Sequence, residues 1–243
     1  MNWNPPQNVR LLICEGLIGA GKTGALEALI RSEHSSYTLE IIPEGLFNFT
    51  RFGNFNPLAL SYQNPQQNFS ICQLHVIRTI NTIFRRYIEH LQTKYRGAAA
   101  PTREKPLFII SDRSLFAPLV FLNNARANGT ISEFVFSYLH FECFAAASES
   151  YRWATLLVRG VFFLDTSPEE CNRRIIKRGR LFERNLDENF LNNLRVHFLE
   201  HLSWWRQNPA VMLRSSVGKN QKAVVSDLKS MIDDIIREDL LCQ

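Results

Sequence analysis

The chain has 243 residues, of which 45% are hydrophobic and 21% are charged, a size and composition that suit one α/β domain over residues 1–243. Its net charge of +5 suits an anionic partner, either nucleic acid or the phosphates of a small molecule. Five widely spaced cysteines without a C-x-x-C pair argue against a disulfide framework and a thiolate zinc site. No apolar run reaches membrane-spanning length and residues 1–6 lack a signal-peptide pattern, so we expect an intracellular, cytoplasmic protein that does not bind membranes.

Apolar runs typical of strands alternate along the chain with segments of helical periodicity. This alternation predicts a mostly parallel sheet covered by helices on both faces. Residues 92–106 are predicted to form a surface loop, and Arg159 with Gly160 interrupts the last predicted strand. In chain order the predicted strands are residues 10–14, 37–43, 107–110 and 156–164, and the predicted helices are residues 23–32, 69–91, 131–150 and one that begins at Pro168 after an N-cap at Ser167.

Residues 16–23 form a complete G-x-x-x-x-G-K-[ST] phosphate loop between the first predicted strand and the first predicted helix. In such a loop backbone N–H groups surround phosphate oxygens, the lysine reaches the β and γ phosphates, and the hydroxyl binds Mg²⁺. Because strand, loop and helix stand in the required order, we predict a nucleotide site. Its predicted ligands are Gly16, Gly19, Ala20, Gly21, Lys22 and Thr23, with Thr23 also on the metal.

Charged residues follow two predicted strands at the ends where open parallel sheets bind ligands. Asp112 follows the apolar strand 107–110, which is the Walker B arrangement for Mg²⁺, although an acid here also commonly caps a helix. Arg113 beside it can contact a transferring phosphate. Glu44 follows the second strand, where a single glutamate taken alone is more often a solvated loop residue.

A basic segment at residues 173–184 fits a solvated helix face or a nucleic-acid patch when it is taken alone. In a chain with a phosphate loop we interpret it as a lid over residues 174–185. Its arginines, Arg174, Arg178 and Arg180, are predicted to close over the donor phosphates, and Gly179 to supply the bend.

Four motifs in order resemble the deoxyribonucleoside kinases, the group of deoxycytidine, deoxyguanosine and mitochondrial-type thymidine kinases. The resemblance covers residues 11–205 and implies a P-loop kinase fold, with a parallel sheet flanked by helices and an arginine-rich lid. It also implies transfer of the γ-phosphoryl group of ATP, with Mg²⁺, to the 5′-hydroxyl of a deoxyribonucleoside. The motifs are Glu-Gly-x-x-Gly-Ala-Gly-Lys-Thr, Pro43-Glu44, Asp112-Arg113-Ser114 and Arg174-x-x-x-Arg178-Gly179-Arg180-x-x-Glu183.

The resemblance assigns the catalytic roles. The glutamate matching Glu44 takes the proton of the 5′-hydroxyl, and the arginine matching Arg113 holds that glutamate and the phosphates; Lys22 completes the predicted catalytic set. A carboxylate beside an arginine stays ionised near neutral pH and can accept a proton. The family is typically homodimeric, and the apolar residues 134–147 are a candidate interface, although burial in the core would give the same composition.

The resemblance also implies substrate contacts. Tyr62 and Glu183 match residues that share the sugar 3′-hydroxyl, and Gln73 matches a residue that pairs with the base through its amide. Without the family spacing, Gln73 is interpreted as a polar position on an amphipathic helix. Phe49 matches an aromatic residue beside the substrate, although core packing explains a phenylalanine equally well.

This chain departs from the deoxycytidine and deoxyguanosine kinases in the predicted base pocket. Pro118 replaces an aspartate, and Ile80 replaces the arginine that pairs with it. The pocket is therefore predicted to be apolar enough for a thymine methyl group, which favours thymidine or a broad range of pyrimidines. Gly24 and residues 215–220 have no clear family match, so the adenine contacts stay open.

Other functions are compatible with parts of the sequence. A nucleoside-monophosphate (thymidylate-type) kinase shares the phosphate loop, the Asp-Arg pair and the lid, but needs basic groups rather than Glu44 at the acceptor. A non-catalytic, kinase-like accessory subunit would not need an intact Lys22, and nucleic-acid binding through the lid is less favoured. Residues 197–201 match the H-x-x-E-H zinc-protease pattern, but residues 194, 198, 202 and 205 are better interpreted as a helix packing stripe.

Overall fold

A computed structural model describes residues 8–95, 100–218 and 220–241. Residues 1–6, the middle of the predicted loop at 96–99, and Cys242 lie outside this part. Within it the chain forms one parallel sheet in the order β2-β3-β1-β4-β5. The strands are β1 (Val9–Gly16), β2 (Thr38–Ile42), β3 (Leu107–Asp112), β4 (Val158–Asp165) and β5 (Met212–Val217).

Helices cover the sheet and connect its strands. In the part of the chain described, no helix is long and apolar enough to cross a bilayer. Local sequence sets their ends. Ser167 caps α7 by accepting a hydrogen bond from the N–H of Glu170 at 3.3 Å, and Gly179 ends that helix at φ 69°. The helices are α1 (Lys22–Arg31), α2 (Leu46–Phe49), α3 (Pro57–Gln63), α4 (Pro65–Lys94), α5 (Ala117–Ala127), α6 (Glu133–Leu157), α7 (Pro168–Arg178), α8 (Glu188–Trp205) and α9 (Gln221–Leu241).

The central strands are apolar because both of their faces are covered. Every residue of β3 is buried, and every residue of β1 except Arg10 is buried. The predicted parallel α/β arrangement is confirmed, and each of these two strands continues two residues beyond its predicted end. As a result Gly16 and Asp112 end neighbouring strands at the same edge of the sheet.

The boundary between α6 and β4 was predicted wrongly. The strand predicted for residues 156–164 begins at Val158, because α6 continues through Leu157 instead of ending at residue 150. A short apolar run suits a buried helix end and a buried strand equally well. The predicted interruption is a bulge: Leu11 pairs with Val158 and Leu12 with Gly160, which leaves Arg159 unpaired with β1.

Five elements were not predicted, namely α2, α3, α5, β5 and α9. The signal for α9 was present, because its buried residues recur with helical spacing at Val224, Leu228, Met231, Ile232 and Ile235. The signal for β5 was weak, since this edge strand is half exposed and carries the polar run Arg214-Ser215-Ser216.

The packing stripe predicted on α8 is confirmed. Leu194, Phe198, Leu202 and Trp205 are buried in the core. The two histidines of the H-x-x-E-H pattern contact neighbours on the same helix: Nδ1 of His197 lies 2.9 Å from Glu200, and Nε2 of His201 is 3.3 Å from the indole Nε1 of Trp205. Burial lowers the pKa of His201 to about 4, so this ring is neutral at pH 7 and accepts the indole hydrogen bond.

Helix α6 has one buried face and one exposed aromatic face. Phe136, Leu139, Cys143 and Ala147 are buried. The side chains on the other face lie at helical spacing and are exposed, with Phe134 at 81% and Phe141 at 66%. Core packing therefore explains the apolar residues on only one face of residues 134–147. The exposed aromatic side chains on the other face are Phe134, Tyr138, Phe141 and Phe144.

Candidate active site

The phosphate loop joins β1 to α1 and needs glycine at positions that include Gly19 and Gly21. Gly19 has φ +81°, and a Cβ there would lie 2.6 Å from the carbonyl oxygen of Cys171. Gly21 has φ +100°, and its Cβ would lie 2.9 Å from Nη1 of Arg174. Lys22 is buried, and its Nζ donates to the carbonyl oxygens of Gly16 and Leu17 at 3.2 Å each. The loop is thus compact, with its ammonium group bonded to its own carbonyls.

Thr23 and Asp112 meet at the base of this loop. The Thr23 hydroxyl donates to Oδ2 of Asp112 at 2.9 Å, and Oδ1 of Asp112 is buried without a hydrogen-bond partner. Burial raises the pKa of Asp112, while Lys22 opposes that rise. Asp112 does not cap a helix, since α5 begins at Ala117. No group of three or more His, Cys, Asp or Glu side chains forms a metal site among the described residues. A hydroxyl and one carboxylate with a spare oxygen are nevertheless the protein ligands that Mg²⁺ needs beside substrate phosphates.

Arg113 lies at the centre of the site in a backbone conformation that side-chain-bearing residues rarely adopt, with φ 81°. Its Nε donates to Glu44, and its Nη1 donates to the carbonyl oxygen of Gly16 at 3.0 Å. The guanidinium carbon lies 5.6 Å from the ring centroids of both Phe121 and Phe198. Rings and hydrogen bonds together hold the guanidinium in one orientation.

Glu44 follows β2 and faces the phosphate loop, as the sequence predicted. Burial by itself raises the pKa of Glu44, but the charges of Arg113 and Lys22 outweigh this effect and hold the pKa below its usual range. The carboxylate is therefore ionised at neutral pH. Its side chain is 25% exposed, which leaves it open to the adjoining cavity.

The lid arginines are paired within the protein. Arg174 donates to Glu170 and to the carbonyl oxygen of Ala20, both at 2.7 Å, which fixes it against the phosphate loop. Glu183 is buried and receives Arg178 through Nε at 3.1 Å and Nη2, and Arg180 through Nη1 at 3.2 Å. Within the lid, the carboxylate of Glu183 thus pairs with both Arg178 and Arg180.

One cavity of about 450 Å³ adjoins Lys22, Thr23, Glu44, Arg113 and the lid arginines. Tyr62 and Gln73 line it from α3 and α4, and Phe49 lines it while being buried. Burial raises the pKa of the Tyr62 phenol, so the hydroxyl keeps its proton and can donate. Oε1 of Gln73 is buried without a hydrogen-bond partner. An unpaired buried acceptor beside an empty space is suited to a ligand that brings a donor.

The cavity brings together most of the residues predicted for the site but not all of them. Gly16, Ala20 and Asp112 do not line it, because Gly16 and Asp112 end strands behind the loop and Ala20 faces a second cavity. The predicted residues that line it are Gly19, Gly21, Lys22, Thr23, Glu44, Phe49, Tyr62, Gln73, Arg113, Arg174, Arg178, Arg180 and Glu183.

Comparison with known proteins decides the family. The family model described as deoxynucleoside kinase matches residues 12–237. This chain belongs to the deoxynucleoside kinase family. A putative deoxynucleoside kinase of Frog virus 3 (isolate Goorha) is 25% identical over 217 residues, covering 88% of this chain and 95% of the viral protein. Deoxycytidine kinase 2 of Gallus gallus is 24% identical over 219 residues, covering 82% of this chain and 74% of the chicken protein.

Membership makes this deoxynucleoside kinase an ATP-dependent enzyme that acts on a small nucleoside. The resemblance drawn from the four motifs is confirmed, and so is the P-loop kinase fold. In this kinase both substituted positions, Ile80 and Pro118, line the main cavity beside Gln73. The two positions at which the sequence differs from the deoxycytidine and deoxyguanosine kinases therefore lie in the wall of the cavity and not on a distant surface.

A second cavity, of about 330 Å³, lies on the other side of the phosphate loop. Gln221 at the start of α9 donates through Nε2 to the carbonyl oxygen of Gly24 at 2.6 Å. Ser216, at the end of β5, also lines this space. Gly24 and part of residues 215–220, which had no clear family match, are thus neighbours; Lys219 lies outside the described residues.

Sequence reasoning assigned no role to several buried polar residues of this kinase, among them Asn124 and Glu15, the latter named only as the first residue of the phosphate-loop motif. Asn124 lines the main cavity from α5, an element that was not predicted, and it accepts a hydrogen bond from Asn128 at 3.2 Å. Glu15 has no exposed surface and accepts the N–H of Ser114 at 2.9 Å. A charged residue at the end of the otherwise apolar strand β1 was the available signal for Glu15.

Proposed function

We propose that this kinase transfers the γ-phosphoryl group of ATP to the 5′-hydroxyl of a deoxyribonucleoside, with thymidine or a broad range of pyrimidines preferred. The observation that carries the proposal is the ionised Glu44 carboxylate, held by Arg113 between the phosphate loop and the cavity of Gln73. A monophosphate acceptor would meet this carboxylate with a second negative charge. A hydroxyl acceptor instead gains a hydrogen-bond acceptor for its proton.

The transfer step uses Glu44, Lys22 and Arg113. The 5′-oxygen forms a bond to the γ-phosphorus while the bond from that phosphorus to the β,γ-bridging oxygen breaks, and ADP leaves. Glu44 accepts the hydroxyl proton. Lys22 leaves its carbonyl partners for the phosphates, and Arg113 stabilises both Glu44 and the charge on the transferred group. Positioning and electrostatic stabilisation supply most of the rate in phosphoryl transfer.

The lid completes the site when both substrates are bound. Glu183 accepts a hydrogen bond from the sugar 3′-hydroxyl, and Tyr62 donates one to the oxygen of that hydroxyl. Arg178 and Arg180 extend from Glu183 toward the donor phosphates. Their present pairing with Glu183 at the edge of the cavity supports this arrangement. Arg174 stays on the phosphate loop, where its contact with Ala20 already holds it.

The base contacts follow from the cavity lining. Gln73 pairs with the base edge, its unpartnered Oε1 accepting a ring N–H or amino group. Phe49 packs beside the base and sugar. Ile80 and Pro118 offer an apolar surface against which a thymine methyl group can pack. Burial of the methyl group there removes apolar surface from water, which favours binding. This lining is the basis for the pyrimidine preference.

Mg²⁺ fits the donor side of the site. Thr23 and Asp112 would hold it, since their side chains already touch at 2.9 Å and one Asp112 oxygen is left over. Bound there, it would neutralise charge on the β and γ phosphates. We place the rest of ATP toward the second cavity beside Gly24 and Gln221.

We further propose a homodimer formed through the exposed aromatic face of α6. Four aromatic side chains exposed along one helix are unusual for a monomer surface and typical of an interface. We also retain one domain over residues 1–243 and a cytoplasmic location as proposals. The free, buried state of the cysteines described, such as Cys14 and Cys143, supports a reducing compartment.

Purified protein should be incubated with labelled ATP and, separately, thymidine, deoxycytidine, deoxyadenosine, deoxyguanosine and thymidylate. We expect the enzyme to convert the pyrimidine nucleosides to their 5′-monophosphates, with the highest kcat/KM for thymidine. Higher kcat/KM on both purines would remove the pyrimidine preference. Activity on thymidylate alone would replace the proposal with a nucleoside-monophosphate kinase.

A further inference from the structure

Glu15 is a fully buried carboxylate for which the proposed function has no role. It is the residue before Gly16 at the end of β1. A buried carboxylate is costly unless its oxygens are hydrogen-bonded or paired with a cation. Its two oxygens face two successive residues: Oε1 accepts the N–H of Ser114 at 2.9 Å, and Oε2 lies 3.6 Å from Nη1 of Arg113.

These contacts hold a strained turn. Arg113 adopts φ 81°, a conformation that costs free energy for any residue with a Cβ and persists only where neighbours impose it. Its N–H donates to the carbonyl oxygen of Cys14 at 3.0 Å, and its own carbonyl accepts from the Ser111 hydroxyl at 2.6 Å. Cys14 and Glu15 thus bind two successive N–H groups of the turn.

The turn directs two functional side chains to different partners. Asp112 reaches the Thr23 hydroxyl, and Arg113 reaches Glu44. Glu15 and the carbonyl oxygen of Gly16 both lie at Nη1 of the guanidinium, whereas Glu44 is met by its Nε. Rotation of the guanidinium would break these contacts and move the Nε donor away from Glu44.

We propose that Glu15 is a positioning residue for phosphoryl transfer: it fixes the turn and guanidinium of Arg113, and through Arg113 the orientation of Glu44 toward the acceptor hydroxyl. Glu15 touches neither substrate. The inference rests on the proposed function of Glu44 as the proton acceptor.

The first test is Glu15→Gln, which keeps an acceptor for Ser114 but removes the charge opposite Arg113. We expect kcat to fall about tenfold or more, because misplaced reacting groups slow the chemical step. The dissociation constants of ATP and nucleoside should stay within about threefold of wild type, since Glu15 contacts neither. Glu15→Asp, which keeps the charge but withdraws it by one methylene, should lower kcat as well and serves if the glutamine variant does not fold.

A double-mutant cycle separates positioning from a merely structural role. If Glu15 acts through Arg113 on Glu44, Glu15→Gln should change the residual rate of Glu44→Gln by less than about twofold. Glu40→Gln is the matched control. Glu40 is a mostly buried carboxylate on β2, away from the cavity, and it accepts hydrogen bonds from Lys94 at 2.6 Å and from Tyr95 at 2.8 Å. The substitution should lower the melting temperature and leave kcat unchanged.

The inference is overturned if both Glu15 variants keep the wild-type kcat. It is also overturned if Glu15→Gln lowers the rate by the same factor in the wild-type enzyme and in the Glu44→Gln variant. These outcomes would leave the proposed function intact, because wild type would still phosphorylate the nucleoside. If wild type phosphorylates no deoxynucleoside, the proposed function fails and this inference fails with it.

Discussion

The donor end and the acceptor end of the main cavity are built differently. At the proposed donor end the groups of the loop of residues 16–23 and of its lid are bonded within the protein, as with Lys22 on Gly16 and Leu17 and Arg174 on Ala20. Oδ1 of Asp112, the proposed metal ligand below the loop, is an exception. At the acceptor end the lining comes from several helices, and Oε1 of Gln73 is left without a partner.

This difference reflects two kinds of recognition. Phosphate groups are the same in every nucleotide, so a loop of backbone N–H groups with one lysine binds them generically. A particular nucleoside must be recognised by side chains whose unmet hydrogen-bonding capacity only that ligand satisfies. Arg113 joins the two ends, because it contacts Gly16 of the loop and Glu44 at the acceptor.

The largest effect should come from Glu44→Gln, which keeps the shape of the side chain and removes the proton acceptor. We expect kcat to fall about 10²–10⁴-fold, while the dissociation constant of the nucleoside changes little. Rapid-quench measurements with labelled ATP will test this. Glu133→Gln, at a side chain that is 72% exposed, is the control and should have wild-type kcat. An unchanged kcat in Glu44→Gln would remove Glu44 from the mechanism.

Asp112→Asn tests the metal site of the donor end. The amide is a poorer ligand for Mg²⁺, so we expect the Mg²⁺ concentration for half-maximal activity to rise about 10–100-fold. Nucleoside binding, measured calorimetrically without metal, should be unchanged because Asp112 does not line the cavity. An unaltered Mg²⁺ dependence would show that Asp112 does not hold the ion.

Gly21→Ala tests the shape of the donor loop alone. The new Cβ would occupy a left-handed conformation and press on Arg174, so we expect the KM for ATP to rise about tenfold, the equivalent of about 1.4 kcal/mol. Gly53→Ala carries a similar backbone strain, at φ +58°, but meets no atom within 4 Å. This control should keep the wild-type KM for ATP; equal behaviour of the two variants would contradict the prediction.

Gln73→Leu is expected to have the most specific effect. Removing a buried unpaired acceptor should raise the free energy of unfolding by about 1 kcal/mol, while kcat/KM for thymidine falls about tenfold and the KM for ATP is unchanged. Denaturant melts and steady-state kinetics measure the two effects. Gln67→Leu, at an exposed position of α4, should alter neither. Loss of stability in Gln73→Leu would mean that the amide serves the fold.

The parts of the site that could be predicted were those carried by short stretches of sequence. The phosphate loop, the cap of α7, the bend at Gly179 and the positions of Glu44 and Asp112 at strand ends follow from local backbone chemistry and from the β-α alternation. The end of α6 and the start of β4 were misplaced, because an apolar run does not distinguish a buried helix from a buried strand.

The sequence by itself therefore determined the nucleotide loop, the family and the identity of the groups available for chemistry. The resemblance implied that Arg113 holds Glu44, 69 residues away in the chain. Only the tertiary structure decided the contact of Glu15 with Ser114, 99 residues away, and the pairing of two lid arginines with Glu183. The reason is physical. A loop motif acts through its own backbone, whereas contacts between distant residues depend on how the sheet and helices pack, which spacing along the chain does not specify.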